Sequence, residues 1–406
     1  MAKIERRPGE FKVVRADTGY CALGVHGDTY RNCAGDCLYC YEKQCNNQHL
    51  RKPKIVPLDH RSLFNSLYDD PDVHFWRTKK DLPLRIGAVA DPFTPVEKRL
   101  RSTARLLKLL AQVDVQIQLT TKRPDIVDDK HIEILKRFPK AMIRVSFGTT
   151  SDQVAADLEP GSPPPSERFE HIRRLSEAGI EMGVRFSPYF YTFDYDYQKA
   201  ADCGATNATV EAFRFSALWR HSTPPKLWEV LSGQEFPGGD VTKKDSFARQ
   251  WVEAREKEFF GPLQNLDAHA YLAPGNLWIY TDPFKWREIW TAEREKAHLA
   301  GLQWGICGFG CGIHNIDLND APCGCLTEGW KYDEGALVPS WHRNQWADYI
   351  MPKVFEYHRD LAIMRFAVAN SEWNRPIALD DSPDLNRAGV LDVEEMDDIG
   401  SDRALT

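Results

Sequence analysis

Short apolar runs alternate with amphipathic stretches along the first half of the chain, from about residue 21 to residue 215. Residues 84–90 form an apolar run typical of a buried strand, and residues 97–112 then place apolar side chains at helical spacing. The same criteria predict further strands at 115–120, 142–147, 182–186 and 209–215, and helices at 129–138 and 166–178. Ser166 is the expected N-cap of the last helix and Gly179 its expected stop.

Strands and helices that alternate at this spacing predict parallel βαβ units. The fold class is therefore α/β, a partial or full parallel (β/α) barrel, followed by a C-terminal mixed region rich in Cys and Trp. In such a barrel the active site lies at the carboxyl ends of the strands.

The pattern changes after about residue 224, where ten of the twelve tryptophans lie between Trp219 and Trp346. A long helix is predicted over residues 340–370. Residues 377–406 carry nine acidic and two basic side chains and few aromatics, which predicts an acidic disordered tail. The predicted divisions are listed in chain order: an N-terminal polar arm, 1–20; the barrel, 21–224; a mixed C-terminal region with a second metal site, 225–376; the tail, 377–406.

The composition is that of an ordinary globular protein, with 42% hydrophobic and 27% charged residues among 406. No apolar run is long enough to cross a bilayer, and the charged N-terminus lacks the apolar core of a signal peptide. We therefore expect a cytoplasmic chain without a membrane partner. The net charge of −7 equals that of the acidic tail, so the remaining body is close to neutral. It lacks the broad electropositive field of non-specific nucleic-acid binders.

Cysteines fall in two groups that indicate metal centres, because disulfides are rare in a reducing compartment. Cys33, Cys37 and Cys40 have the spacing C-x3-C-x2-C. Three thiolates this close can hold a [4Fe–4S] cluster and leave its fourth iron open to a small molecule. The alternative is a zinc knuckle, whose fourth ligand would come from Cys45, Cys21 or His26.

The second group comprises Cys307, Cys311, Cys323 and Cys325, with glycines between them that permit tight turns. Four thiolates suit either a second [4Fe–4S] cluster or a structural zinc ion. His314 is an alternative ligand, and four buried free cysteines are the third interpretation.

The cysteine triplet, with Tyr39 before its last cysteine, resembles the signature of the radical S-adenosylmethionine (radical SAM) superfamily. Its surroundings resemble the spore photoproduct lyase-like branch of that superfamily. The matching segments run from about Tyr30 to Pro188 and are listed here: Tyr30-Arg-Asn-Cys33, Cys40-Tyr41, Asp91-Pro-Phe-Thr-Pro-Val-Glu97, Thr121-Lys122, Leu158-Glu-Pro160 with Pro164 and Arg168, and Ala178-Gly-Ile180.

The resemblance implies an enzyme in which a [4Fe–4S] cluster reduces bound S-adenosylmethionine, giving methionine and a 5′-deoxyadenosyl radical that abstracts hydrogen from a substrate. An electron donor such as flavodoxin or ferredoxin would serve it. The cofactor-binding residues implied by position are Tyr41, Glu97, Lys122, Ser146 and Ser187.

Each of these residues also has an ordinary interpretation. Glu97 could be a carboxylate at a helix N-terminus, Lys122 a solvated loop charge and Ser146 a plain strand residue. Asp91 and Arg168 are either cofactor contacts or scaffold, and we favour scaffold.

True spore photoproduct lyases carry a hydrogen-donating cysteine just before the acidic residue of the second strand. Residues 86–91 contain no cysteine, so repair of DNA photodimers is not expected. Candidates for a catalytic role are Cys203, as a hydrogen-atom donor or a simple buried thiol, and Tyr189, which follows a predicted strand end.

The expected substrate is a nucleobase or nucleoside, within DNA or RNA or free, which the aromatic-rich second region could stack. Two alternatives stay open. One is radical SAM modification of a peptide or small molecule. The other is a zinc-stabilised nucleic-acid-binding module without catalysis.

Overall fold

The structure is a computed structural model that describes about three fifths of the chain. The described residues, to which all structural statements refer, are 6–13, 23, 25–40, 54–69, 83–213, 215–216, 224–243, 245–260, 269–273, 276–280, 286–307, 318–321, 324–327 and 329–330. The predicted helix over 340–370 and the acidic tail lie outside them, as do Tyr41, Cys311 and Cys323.

An eight-stranded sheet organises these residues. Its strands are listed in chain order: β1 Lys12–Val13, β2 Val25–Gly27, β5 Leu84–Ile86, β6 Ile117–Thr121, β7 Ala141–Phe147, β8 Glu181–Tyr189, β9 Ala205–Ala212 and β13 Gln303–Ile306. Their spatial order is β1-β2-β5-β6-β7-β8-β9-β13, and every pair except β1–β2 is parallel. The seven parallel strands confirm the predicted α/β class. The described strands form an open sheet, with β1 and β13 at its edges.

Helices occupy the connections between the parallel strands. They are listed in chain order: α1 His60–Asp69, α2 Glu97–Leu100, α3 Ser102–Leu110, α4 Asp129–Leu135, α5 Asp152–Leu158, α6 Pro165–Glu177, α7 Tyr197–Asp202, α8 Pro225–Ser232, α9 Phe247–Phe260 and α10 Trp286–Leu299. None of these helices is long and apolar enough to cross a membrane. A 3-10 turn, Pro124–Ile126, follows β6.

The described residues also form two small sheets. One pairs β3 Tyr30–Arg31 with β4 Val56–Pro57. The other has β12 Asn276–Tyr280 between β10 Phe215–Ser216 and β11 His269–Ala273.

The hydrophobic core lies between the sheet and its helices. Alternate residues of a strand face opposite sides, so Ile143, Val145 and Phe147 of β7 share one side. All three are fully buried, and the Phe147 ring stacks on Phe169 of α6 with centroids 4.8 Å apart. Arg144 points to the other side of the sheet and is also buried. The sheet is therefore apolar toward the helices and polar on its inner face.

A short downstream segment fills part of this polar inner face. Gln118 and Arg144 both donate to the carbonyl oxygen of Cys325, at 2.7 and 2.6 Å, and Thr209 donates to the carbonyl of Gly324. Trp330 lies farther along, with its indole nitrogen 3.3 Å from the carboxylate of Glu181, the first residue of β8. Residues 324–327 and 329–330 thus run along the inner face toward the amino ends of the strands.

The eight-stranded sheet includes residues from both sides of the predicted barrel range 21–224. Phe11 of the predicted polar arm is buried and β1 pairs with β2, because residues 6–13 are anchored on the body by hydrogen bonds such as that from Arg6 to Ser102. At the other end, β13 belongs to the predicted C-terminal region yet pairs with β9. The sheet is therefore built from residues on both sides of position 224.

Two helix boundaries also differ from prediction. The helix predicted over 97–112 breaks at Arg101, which takes a left-handed conformation with φ 51° and separates α2 from α3. The N-cap of α6 is Pro164 rather than Ser166, because the Ser166 amide and hydroxyl both donate to Asp152 of α5.

Candidate active site

The three upstream cysteines lie in one loop after β3. None of the three is in a disulfide; Cys37 is 8% exposed and Cys33 and Cys40 are half-buried. Asn32 and Asp36 have φ of 64° and 48°, and these left-handed residues turn the chain sharply around the first two cysteines. A Cβ at Gly35 would lie 3.4 Å from the Cys37 sulfur and 3.7 Å from the Cys33 sulfur, so both sulfurs flank this glycine.

The donor chemistry of this loop fits iron, since thiolates are the ligands of [4Fe–4S] clusters. Burial raises the pKa of the Cys37 thiol, and the nearby Lys122 ammonium opposes that shift. Within the described part of the chain, no three His, Cys, Asp or Glu side chains are arranged as a metal site.

A short segment after α5 supports the cysteine loop through its backbone. The Leu38 amide donates to the Leu158 carbonyl at 3.0 Å, and the Gly161 amide donates to the Gly35 carbonyl at 3.0 Å. A Cβ at Gly161 would lie 1.9 Å from the Ala34 carbonyl oxygen, so only glycine allows this approach. We call residues 158–161 the docking segment.

Glu159 of the docking segment is the most connected carboxylate at this edge. Its Oε1 accepts from the Tyr39 hydroxyl and from the Gly148 amide at 2.9 Å, and lies 3.0 Å from the Lys122 ammonium. Its Oε2 pairs with Arg168 at 2.5 Å. Burial alone would raise its pKa, but Arg168 and Lys122 outweigh burial and lower the pKa to about 2.

Lys122, Ser146 and Ser187 come together beside the cysteine loop. The Lys122 ammonium, at the carboxyl end of β6, donates to Ser146 Oγ of β7 at 3.1 Å and to the Ser187 carbonyl of β8 at 3.4 Å. It also lies 5.4 Å from the centroid of the Tyr39 ring. Three of the five predicted cofactor residues therefore share one site at the carboxyl edge of the sheet.

The two positions for which scaffold was favoured are engaged within the protein. Asp91 accepts from Thr121 Oγ1 and from the Lys122 amide, each at 2.7 Å. Arg168 donates to the Ser146 carbonyl at 2.9 Å and pairs with Glu159. Both side chains hold the ends of β6 and β7 in place.

A buried ion pair extends inward from Ser187. The Ser187 hydroxyl donates to Glu211 Oε2 at 3.0 Å, and the same oxygen pairs with Arg185. Burial would lower the pKa of Arg185, but Glu211 and the neighbouring Cys307 and Cys325 raise it. This pair connects the Lys122 site to the second cysteine group.

Two members of the second group, Cys307 and Cys325, meet on the inner face of the sheet. Both are buried. The pKa of Cys307 is raised, mainly by a hydrogen bond with Cys325 and secondly by burial. Cys307 directly follows β13, where its amide donates to the Val210 carbonyl at 2.8 Å. The other two predicted ligands, Cys311 and Cys323, are outside the described residues.

Glu97 is placed apart from Lys122, in a closed environment. Its carboxylate accepts the amides of Thr103 and Ala104 at 3.0 Å, accepts the Tyr30 hydroxyl, and lies 3.3 Å from His131. Glu97 thus satisfies the N-terminal amides of α3, which matches its ordinary interpretation as a helix-terminus carboxylate.

Cys203 and Tyr189 are not brought into the Lys122 site. Cys203 precedes β9, at the amino end of the sheet, and its sulfur accepts from Arg173 at 3.4 Å. Tyr189 is buried between the Tyr195 ring, 4.7 Å away, and the Trp290 ring, 5.0 Å away. Burial and Glu293 raise the pKa of Tyr189.

Sequence reasoning missed Glu159, Arg185 and Glu211. Glu159 lies within a matched segment, Leu158-Glu-Pro160, but nothing local indicates that its carboxylate faces inward. A charged residue at alternate positions of an otherwise apolar strand is the signal for Arg185, because it marks the polar inner face.

Comparison with known proteins gives partial matches. No protein-family model matches the chain. The uncharacterized protein ORF301 of Acidianus two-tailed virus is 26% identical over 117 residues, covering 28% of this chain and 37% of that protein. The uncharacterized protein MJ0683 of Methanocaldococcus jannaschii is 24% identical over 103 residues, covering 25% of this chain and 39% of that protein. The match therefore spans less than two fifths of either curated relative.

Among solved structures, spore photoproduct lyase complexed with dinucleoside spore photoproduct is similar over 71% of this chain and 77% of its own, with TM-score 0.45 and 15% identity. SuiB of Streptococcus suis bound to S-adenosylmethionine matches 59% of this chain and 44% of its own, with TM-score 0.31 and 11% identity. Both TM-scores are below 0.5, so neither comparison identifies the function of this chain.

Proposed function

We propose that the chain is a radical SAM enzyme in which Cys33, Cys37 and Cys40 hold a [4Fe–4S] cluster. S-adenosylmethionine would bind next to it, against Lys122, Ser146, Ser187 and Tyr41. Cys33, Cys37 and Cys40 would hold the cluster, which when reduced would supply the electron for cleavage of bound S-adenosylmethionine to methionine and a 5′-deoxyadenosyl radical that would take hydrogen from the substrate.

The observation that carries this proposal is the position of the cysteine loop. It is docked at the carboxyl edge of a parallel sheet, with Tyr39 of the loop under the ammonium group of Lys122. A zinc knuckle does not require neighbouring strand ends, whereas a cofactor site in a parallel α/β sheet is built there. The proposal therefore explains both the cysteine spacing and its location.

Each residue of the Lys122 site has a task that follows from its chemistry. The Lys122 ammonium, with 17% of its side chain exposed, can bind the carboxylate of the methionine moiety through a charge-assisted hydrogen bond. The Ser146 hydroxyl now donates to the Ser187 carbonyl at 3.3 Å and would turn toward the cofactor when it binds. The Ser187 carbonyl would then accept a hydrogen bond from the ribose or adenine of the cofactor.

For the substrate we propose a nucleobase or nucleoside, free or within a nucleic acid. The absence of a cysteine from residues 86–91 argues against photodimer repair. An internal base would have to leave its stack to reach the radical. Modification of a peptide or small molecule is the second candidate, favoured by the second cysteine group.

We further propose that Cys307, Cys311, Cys323 and Cys325 hold a second centre, either a [4Fe–4S] cluster or zinc. The contact between the buried Cys307 and Cys325 thiols supports it, since thiols that share one metal must converge. Arg185 beside them would offset the negative charge of four thiolates.

Metal analysis of anaerobically reconstituted protein tests this assignment. We expect about eight irons per chain if both groups hold [4Fe–4S] clusters, and about four if the second group holds zinc. Replacing Cys33, Cys37 and Cys40 together by Ala should remove about four of those irons. Cys203→Ser, a buried cysteine at the opposite edge, is the matched control and should retain all of them. Zinc without iron would favour the non-catalytic binding module instead.

A further inference from the structure

We infer that Glu159 is a positioning residue that docks the cysteine loop and at the same time orients Lys122 toward the cofactor. The inference rests on the proposed function, which it extends by a residue that contacts neither cluster nor cofactor. Glu159 would act through Tyr39 on one side and through the Lys122 ammonium on the other.

The geometry that carries the inference is the convergence of three donors on one oxygen. Oε1 of Glu159 receives the Tyr39 hydroxyl, the Gly148 amide and the Lys122 ammonium. These donors come from the cysteine loop, from the end of β7 and from the end of β6. A single carboxylate oxygen therefore fixes three parts of the site relative to one another.

The negative charge of Glu159 also contributes, because it is shared by two cations. One carboxylate, fully buried, contacts two cations, Lys122 at 3.0 Å and Arg168 at 2.5 Å. Asp91, another carboxylate near Lys122, cannot take the place of Glu159, because it already accepts hydrogen bonds from Thr121 and from backbone amides. Removal of the Glu159 charge would leave the two cations without their shared anion, and they would repel each other.

The surrounding backbone ties Glu159 to the loop independently of its side chain. The Leu158 carbonyl and the Gly161 amide, on either side of it, bond to Leu38 and Gly35 in the cysteine loop. The carboxylate is thus held in register with the loop. A change at Glu159 should release Tyr39 and Lys122 and loosen the cysteine loop around Cys37, while the two backbone bonds keep the docking segment attached.

The first test uses apoprotein and does not depend on any cofactor. Modification of Cys37 by a thiol reagent, followed by tandem mass spectrometry, reports how firmly the loop is docked, since Cys37 is 8% exposed. Glu159→Gln should speed labelling at least about tenfold, because an amide cannot satisfy both cations and all three donors. Asp157→Asn is the matched control; Asp157 is an exposed carboxylate on α5 paired with Lys226, and labelling should not change.

The second test measures the dissociation constant of S-adenosylmethionine for reconstituted protein in a double-mutant cycle. Glu159→Gln and Lys122→Met should each weaken binding about tenfold or more, and the double variant should be no weaker than Lys122→Met alone. Glu159→Asp, which keeps the charge, should recover part of the affinity.

The outcomes separate the inference from the proposed function. Unchanged Cys37 labelling in Glu159→Gln overturns the docking role, and additive losses in the cycle overturn the role through Lys122. If the wild-type protein binds neither iron nor S-adenosylmethionine, the proposed function fails. The positioning of the cofactor then fails with it, while the labelling test still decides whether Glu159 docks the loop.

Discussion

The ammonium nitrogen of Lys122 lies 3.0 Å from Oε1 of Glu159, a carboxylate with no exposed surface. Lys122 directly follows a strand and Glu159 follows a helix 37 positions later, so the pair joins two connections of the α/β fold. The hydroxyl of Tyr39, from the cysteine loop, reaches the same oxygen. This arrangement makes the site a single unit built from distant parts of the sequence.

Stability in acid should depend on Glu159. Its pKa is about 2 in the folded protein, against an ordinary value of 4.5. A lowered pKa contributes stability that is fully present above pH 4.5 and is lost as the pH falls through 2. The shift corresponds to about 3 kcal/mol. Urea unfolding of apoprotein between pH 5 and pH 2 should show this loss in wild type. Glu159→Gln should be less stable at pH 5 and lack that part of the pH dependence; parallel curves would contradict the paired state of Glu159.

Substitution of Glu97 should affect stability and not the cofactor. Glu97→Gln replaces a buried acceptor of the Thr103 and Ala104 amides, which should cost about 1–3 kcal/mol of unfolding free energy. Affinity for S-adenosylmethionine, measured by titration of reconstituted protein, should stay within about twofold. Glu133→Gln, an exposed carboxylate on α4, is the control. A loss of affinity of tenfold or more would instead assign Glu97 to the methionine amino group.

The backbone contact at Gly161 should control iron binding. In Gly161→Ala the new methyl group would meet the Ala34 carbonyl at 1.9 Å, so the cysteine loop must move away. We expect the iron content of the reconstituted protein to fall at least about threefold while the far-ultraviolet circular dichroism is retained. In Gly233→Ala the new methyl group meets nothing within 4 Å, and its φ of 70° costs roughly 1–2 kcal/mol. This control should keep its iron; an equal loss in both variants would contradict the docking contact.

Cys203 should be dispensable for the radical reaction. Its thiol lies before β9 at the amino edge and accepts from Arg173, away from Lys122. The yield of 5′-deoxyadenosine from Cys203→Ser should match wild type within about twofold. Loss of product formation with intact iron content would return Cys203 to the catalytic candidates.

Most strand positions followed from the sequence because their residues are apolar or alternate between apolar and polar. The runs predicted at 115–120 and 142–147 correspond to Ile117–Thr121 and Ala141–Phe147. β13 was not predicted, since Gln303–Ile306 has only four residues and its place is decided by pairing with β9. The break at Arg101 was also missed, because an arginine in the left-handed region has no local signal.

Part of the candidate site was predictable because strand positions were predictable. Lys122 directly follows β6, and Ser146 and Ser187 lie within the last three residues of β7 and β8. The ends of parallel strands meet at one edge. The turn at Arg101 directs the Glu97 carboxylate to the amides of α3, and a contact of Glu97 with the cofactor stays a prediction. The inward orientation of Glu159 depends on long-range contacts with Tyr39 and Lys122, which no local pattern encodes.

The most direct test of the proposed function is the yield of 5′-deoxyadenosine from S-adenosylmethionine, measured by mass spectrometry after anaerobic reconstitution and reduction. We expect product from wild type. The variant lacking Cys33, Cys37 and Cys40 should give none, and Lys122→Met should give at least about tenfold less at limiting S-adenosylmethionine. Wild-type protein that carries a full complement of zinc, binds no iron and forms no 5′-deoxyadenosine would contradict the radical SAM assignment.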